Sequence, residues 1–161
     1  MIYAIDPGNE ESGYAVFNGE SLKPFLFGKS DNEELLKLIK NTSEEGDELA
    51  IEMIASYGMA VGASVFDTCV WIGRFIEAFK GEKVTRIFRR EEKLHICHSP
   101  NAKDSNIRVA LIDRFAEHDK VNGKGTKKNP DFFYGFKADC WAAFAVGLTY
   151  IETRRKEQTS K

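Results

Sequence analysis

Apolar and polar positions along the chain switch between a period of two and a period near 3.6, and each switch marks a new element. Ile2 to Asp6 reads as a buried strand and Gly13-Tyr14-Ala15-Val16-Phe17 as a second, followed by Asn18-Gly19, the strongest short hairpin-turn signal. Leu22 to Phe27 is a third strand. Asp31 or Asn32 then caps a helix whose Leu35, Leu36, Leu38 and Ile39 keep a helical period, ending near Asn41-Thr42. Leu49-Ala50-Ile51-Glu52 is a short strand, followed by a long helix with Val65, Cys69, Ile72, Ile76 and Phe79 on one stripe. Val84 to Phe88 supplies the fifth strand. Ile107, Ala110, Leu111 and Phe115 mark a further helix, a polar loop runs from Lys120 to Pro130, and a last helix covers about Lys137 to Arg155. The order βββαβαβα, opening on three antiparallel strands, predicts an α/β fold: a mixed five-stranded sheet flanked by helices.

A chain of 161 residues without internal repeats suits one domain, 1–161, with residues 119–135 as a flexible basic loop inside it. No apolar run reaches the length of about 18 residues that a membrane span needs. The first residues enter a strand with no basic leader, so secretion is not expected and cytoplasmic residence is. Cys69, Cys97 and Cys140 are odd in number and lie in apolar patterns, which favours reduced core thiols over a disulfide framework. Gly58, Gly62 and Gly73 surround the long helix, where glycine costs about 1 kcal/mol relative to alanine. Close packing of another backbone would explain them, either the sheet or a second subunit.

The net charge of −2 hides a strong division. Residues 1–79 carry 5 Lys+Arg against 14 Asp+Glu, a balance of −9, and residues 80–161 carry 18 against 11, a balance of +7. Such a dipolar chain can present a basic face to phosphates despite its acidic total, although scattered solvated charges would give the same count.

Three acids stand where a core would not ordinarily place them. Asp6 ends one strand, Glu52 ends another, and Asp139 lies at the apolar start of the last helix. An isolated buried carboxylate is costly and needs a cation, a metal or good hydrogen bonds. If the first and fourth strands are neighbours and the last helix crosses their ends, all three converge. An all-oxygen cluster suits Mg²⁺, or Mn²⁺ in its place, and lacks the Cys/His spacing of a zinc site. Two such ions roughly 3.5–4 Å apart are the usual apparatus of phosphodiester hydrolysis. The plainer reading is that each acid caps a turn, a strand end or a helix.

At these residues the chain resembles a known family. Ile5-Asp6-Pro7-Gly8 with Ser12-Gly13-Tyr14-Ala15 looks like the first motif of RuvC crossover-junction endonucleases, Ala50-Ile51-Glu52 like the second, and Lys137-Ala138-Asp139-Cys140-Trp141-Ala142-Ala143 like the Asp-Ala-rich final helix. Ser56 to Met59 and Gly73-Arg74-Phe75 look most like the phage-encoded branch, which implies a bacterial host cell as the setting. The resemblance implies an RNase H-like sheet and a Mg²⁺-dependent homodimer that binds a four-way DNA junction and nicks two strands symmetrically. It matches Asp6, Glu52 and Asp139 to the metal-binding acids and Lys103 to a lysine that neutralises charge on the scissile phosphate. Two departures stand out. The family's fourth acid would fall at Phe136, so either the second metal has fewer protein ligands or Asp104 or Asp131 substitutes, and its aromatic wedge would fall at Ala55, with Tyr57 as a replacement.

Arg86, Arg89, Arg90 and Lys93 cluster after the fifth strand, and Lys120, Lys124, Lys127 and Lys128 share the polar loop; both groups are candidate DNA contacts. His95-Ile96-Cys97-His98 has no second half-site, so zinc is not expected there. Trp71 and Trp141 read as core, and Arg154-Arg155-Lys156 as charges complementing a helix end. Other functions stay open. A non-catalytic branched-DNA-binding protein would explain the missing acid, and an RNase H-like nuclease acting on RNA–DNA hybrid would share the acid set. An ATPase-like module also begins with a strand and an Asp-x-Gly turn, but needs two lobes where this chain has room for one.

Overall fold

The computed structural model describes residues 1–159 apart from Glu20, Tyr57 and Met59. Strand β1 (Ile2–Asp6) lies at the centre of a five-stranded sheet of order β3-β2-β1-β4-β5. β2 (Glu11–Phe17) runs antiparallel to β1 and to β3 (Leu26–Asp31), while β4 (Glu48–Met53) and β5 (Lys83–Phe88) continue the sheet in parallel. Both faces of β1 are covered, which is why it is apolar throughout rather than alternating. Ile2 and Ala4 enter one core, and Tyr3 and Ile5 enter the other.

The second core is closed by α1 (Asn32–Thr42) and α2 (Ala63–Ala78). Asp31 caps α1 by accepting the Glu33 amide at 2.9 Å, and Leu35 and Ile39 are buried below it. From α2, Ile72 and Phe75 face the sheet, joined by Phe79 just past its end. The first core is closed by α3 (Arg89–Cys97), α4 (Asp104–Phe115) and above all α5 (Ala138–Thr159), which crosses the sheet. Every residue from Cys140 to Ile151 except Ala142 is buried. Phe133, Phe136, Trp141 and Phe144 interlock beneath α5, with ring centroids 4.3–5.8 Å apart. The approach of α5 to the sheet depends on Gly147, where an added Cβ would sit 2.3 Å from Phe17 Cε2 and 3.0 Å from Ala4 Cβ.

Several elements differ from expectation. The third strand begins at Leu26, because Ser21 to Pro24 form a local turn and pairing with β2 starts only where Leu26 meets Val16. An additional helix, α3, follows β5 directly, so the order is βββαβαβααα. Its polar sequence leaves no apolar stripe to read. The loop expected to be flexible is laced with hydrogen bonds. Asp119 accepts from the amides of Val121, Asn122, Lys124 and Gly125, and Asp131 from those of Glu117, His118, Asp119 and Phe132. Gly123 and Gly125, at φ +70° and +63°, permit the tight path between them. Around α2, Gly58, Gly62 and Gly73 have no heavy atom within 4 Å of an added Cβ, so the sheet is not what packs against them. Among the described residues no helix is long and apolar enough to cross a membrane.

Gly147→Ala should lower stability by about 1–3 kcal/mol, the usual cost of forcing a methyl into a filled core. Denaturant unfolding checks this, and an unchanged midpoint would show that the Phe17 ring yields freely.

Candidate active site

Two strand ends bring the first acids together. β1 and β4 are parallel with Ile5 opposite Ile51, so the next residues, Asp6 and Glu52, emerge side by side at the carboxyl end of the sheet. The turn after Asp6 is held by a buried network. The Gly8 amide donates to Ser12 Oγ at 3.1 Å, that hydroxyl donates to Asn32 Oδ1, and Asn32 Nδ2 donates back to the Gly8 carbonyl at 2.9 Å. Asp139 arrives from above. Gly13 pairs with Asp6 across β1 and β2, and an added Cβ there would lie 2.4 Å from the Asp139 carbonyl oxygen and 3.2 Å from its Cβ. The bare backbone of Gly13 thus lets the start of α5 settle beside Asp6.

The electrostatics follow from this crowding. Burial, then the Glu52 charge, pushes the Asp6 carboxyl from 3.8 up to about 7, with Arg89 opposing and Asp139 adding to the rise. Burial also raises Glu52, and Arg89 again opposes. Glu92 on α3 lies against Glu52 with a fully buried side chain, and burial followed by the Glu52 charge takes it up to about 9. Carboxylates this close cannot all stay ionised without additional positive charge.

Two cations of the protein occupy the cluster. Arg89 Nη1 lies 2.8 Å from Glu92 Oε2 and 3.5 Å from Glu52 Oε2, and its Nη2 lies 2.8 Å from Asp104 Oδ1. Lys29 Nζ bridges Glu11 at 2.8 Å and Asp139 at 3.1 Å. Among the described residues, Asp6, Glu52, Glu92, Asp104 and Asp139 are thus opposed chiefly by Arg89 and Lys29, with Lys93 acting on Asp104 at the rim. Glu52 Oε2 and Glu92 Oε1 are buried without a hydrogen-bond partner. Oxygen donors, excess negative charge and two orphan acceptors fit a hard divalent cation. Among the described residues no three His, Cys, Asp or Glu side chains converge as a preassembled metal cluster. Asp139 pairs instead with Lys29, while Glu52 and Glu92 share Arg89.

The remaining candidates separate. Lys103 is exposed immediately before α4, beside Asp104 at the rim. Arg89, which begins α3 one residue past β5 and so lands next to Glu52, is turned into the acids. It also lines, with Arg90, Lys93, Pro100 and Asn101, a cleft of about 330 Å³. Arg86 is apart from them, in a groove of about 710 Å³ with His95, His98 and Arg154. Tyr57 lies outside the described residues. Lys127 and Lys128 are exposed on the loop, Lys124 is half-buried, and Lys120 caps α4 by donating to the Ala116 carbonyl. Of the two acids considered as substitutes for the one missing at Phe136, Asp131 is excluded. Burial would raise its carboxyl, yet four backbone amides hold it well below the usual range and occupy its oxygens. Phe136 itself is core, 2% exposed. His95 Nε2 lies 2.7 Å from Glu152 Oε2.

Sequence reasoning missed Glu92 and Lys29. Within Arg89-Arg90-Glu91-Glu92-Lys93 only a helical period, with Glu92 and Ile96 on one face, distinguishes the inward acid from its exposed neighbour Glu91.

Because Asp6 and Glu92 take up protons more readily folded than unfolded, each contributes stability that is full below pH 4 and lost as pH rises. Asp6 loses its share on passing through about 7, and Glu92 on passing through about 9. Melting of metal-free protein should therefore fall with pH more steeply in the wild type than in Asp6→Asn, and equal slopes would contradict the assignment.

No protein-family model matches the chain, and no curated protein matches it in sequence. Among solved structures it is similar to Thermus thermophilus RuvC, with a TM-score of 0.60 and 14% identity over 96% of each chain. It is similar also to T. thermophilus RuvC in complex with a Holliday junction substrate, with a TM-score of 0.61 and 14% identity over 96% of this chain and 95% of that one. The protein thus has a RuvC-like fold, an α/β RNase H-like mixed five-stranded sheet flanked by helices.

Proposed function

We propose that the protein is a structure-selective DNA endonuclease that cleaves Holliday junctions, and other branched DNA, by divalent-metal-dependent phosphodiester hydrolysis. The observation that carries this reading is the placing of Asp6 beside Glu52 at the carboxyl end of a RuvC-like sheet, with the Asp139 end of α5 packed on Gly13, the residue paired with Asp6. The similarity to a RuvC seen with a Holliday junction substrate supports the substrate class.

In this reading Asp6, Glu52 and Asp139 hold Mg²⁺ or Mn²⁺, two ions per site, and those ions supply water activation and stabilisation of the leaving oxygen. Lys103 offsets charge developing on the scissile phosphate from the rim. Arg90 and Lys93 take flanking phosphates in the neighbouring cleft, with Lys124, Lys127 and Lys128 as a more distant contact. Arg86, in its separate groove, is a further proposed DNA contact, and Tyr57 is proposed as one from the sequence alone. Arg89 braces the acids from the edge of the cleft that Arg90 and Lys93 line. Its place among the acids is also the observation that favours a non-catalytic junction binder, in which the guanidinium stands permanently for the metal.

A homodimer is supported by α2. Phe66 and Val70 are each 61% exposed on its outer face, and Gly62 and Gly73 leave room there for another backbone. Val70→Glu should shift sedimentation from dimer to monomer and remove paired nicking while single nicks persist. A wild-type monomer would end the dimer reading.

Labelled four-way junction, duplex, flap and RNA–DNA hybrid, each with Mg²⁺ or EDTA, test the activity. Paired Mg²⁺-dependent nicks should appear in the junction. Asp6→Asn and Glu52→Gln should lose at least the roughly 10–100-fold that even outer partners of a metal are worth, with junction binding intact. Binding without any cleavage would establish the non-catalytic reading, and hybrid cleavage alone would reassign the substrate.

A further inference from the structure

We propose that Glu92 is the fourth carboxylate of the metal centre, holding the ion shared by Asp6 and Glu52; this rests on the metal-dependent reading above. A fourth acid cannot come from the start of the last helix, where Phe136 is locked into the aromatic core. Asp131 has its oxygens taken by four amides, and Asp104 is exposed and committed to Arg89.

Glu92 has the geometry those residues lack. β5 pairs in parallel with β4, with Ile87 opposite Glu52, so the helix that follows β5 starts at the level of the acids. One turn into it, Arg89 and Glu92 share a face three residues apart. Arg89 Nη1 donates to Glu92 Oε2 at 2.8 Å and so fixes the carboxylate by one oxygen. The other, Oε1, is buried with no partner, as is Glu52 Oε2 beside it. A fully buried carboxyl group within hydrogen-bond reach of a second one, with no protein donor for the facing oxygens, is held by a shared proton in the metal-free protein, and a divalent cation fits the same two oxygens in its place. A structural acid would find a donor for both oxygens, as Asp131 does. The donor set thus reaches the same cluster from a different element, the helix after β5.

Mn²⁺ serves as the probe, with full-length protein, calorimetry for affinity and electron paramagnetic resonance for the number of ions bound per chain. The wild type should bind two Mn²⁺, and Asp6→Asn should lose binding. Glu92→Gln, nearly isosteric, should weaken one of the two ions at least about tenfold and shrink the rise in melting temperature that Mn²⁺ produces. Its melting curve without Mn²⁺ reports folding, and if that variant does not fold, Glu92→Asp, which withdraws the carboxylate by one methylene, is measured against the same outcomes. Both ions bound with unchanged affinity in the Glu92 variant, while Asp6→Asn loses them, would overturn the role of Glu92 alone and leave the nuclease reading standing. A wild type that binds no Mn²⁺ and nicks no junction would overturn both.

Discussion

The apposition of α5 to the sheet is the contact on which both the core and the site depend. Two missing side chains permit it. Gly147 lets the middle of the helix rest on Phe17 and Ala4, and Gly13 lets its first turn rest on β2 opposite Asp6. Between those points the helix is buried almost without interruption. The hydrophobic effect pulls the helix down along its length, and the position of Asp139 is a consequence. The acid need not be held by a bond of its own to Asp6, with which it would in any case repel.

That repulsion shapes the rest of the site. Gathering acids at one end of a sheet raises the protonation range of Asp6, Glu52 and Glu92, which costs the native state stability at neutral pH in the absence of a counter-ion. Arg89 and Lys29 offset part of the cost from opposite sides, the first among Glu52, Glu92 and Asp104, the second between Glu11 and Asp139. A strain of this kind marks a candidate functional cluster, and a divalent ion would relieve it. The buried network of Ser12, Asn32 and Gly8 keeps the Asp6 turn from relaxing away from its neighbours.

Much of this was legible in the amino-acid sequence, and the failures share a cause. Buried strands such as Ile2–Asp6 and Glu48–Met53 advertise themselves because both of their faces are apolar, and the acids that end them stand out against that background. β3 was misplaced because an edge strand of sequence LFGKSD carries little burial signal, while the apolar residues just before it belong to a turn. α3 was missed because the one side chain it buries completely is a glutamate, which reads on its face as solvent-exposed charge. The acids on strands were visible and the acid on a polar helix was not, since a carboxylate buried for chemistry violates the pattern that sequence reading relies on.

The two faces of the sheet then divide the labour. Asp139 and Glu92 come from helices on the α5 face, whereas the exposed Phe66 and Val70 lie on α2, across the sheet. In the proposed function, lysines and arginines near the site would hold phosphates without reading bases, and so would contribute affinity with little discrimination between duplex and junction. Discrimination in the proposed function must therefore come from geometry larger than one site, namely the separation and angle at which two chains present their acids. An apolar helix face remote from the charged cluster can set that geometry without disturbing the acids, because the central strands that separate the two cores are rigid and fully paired.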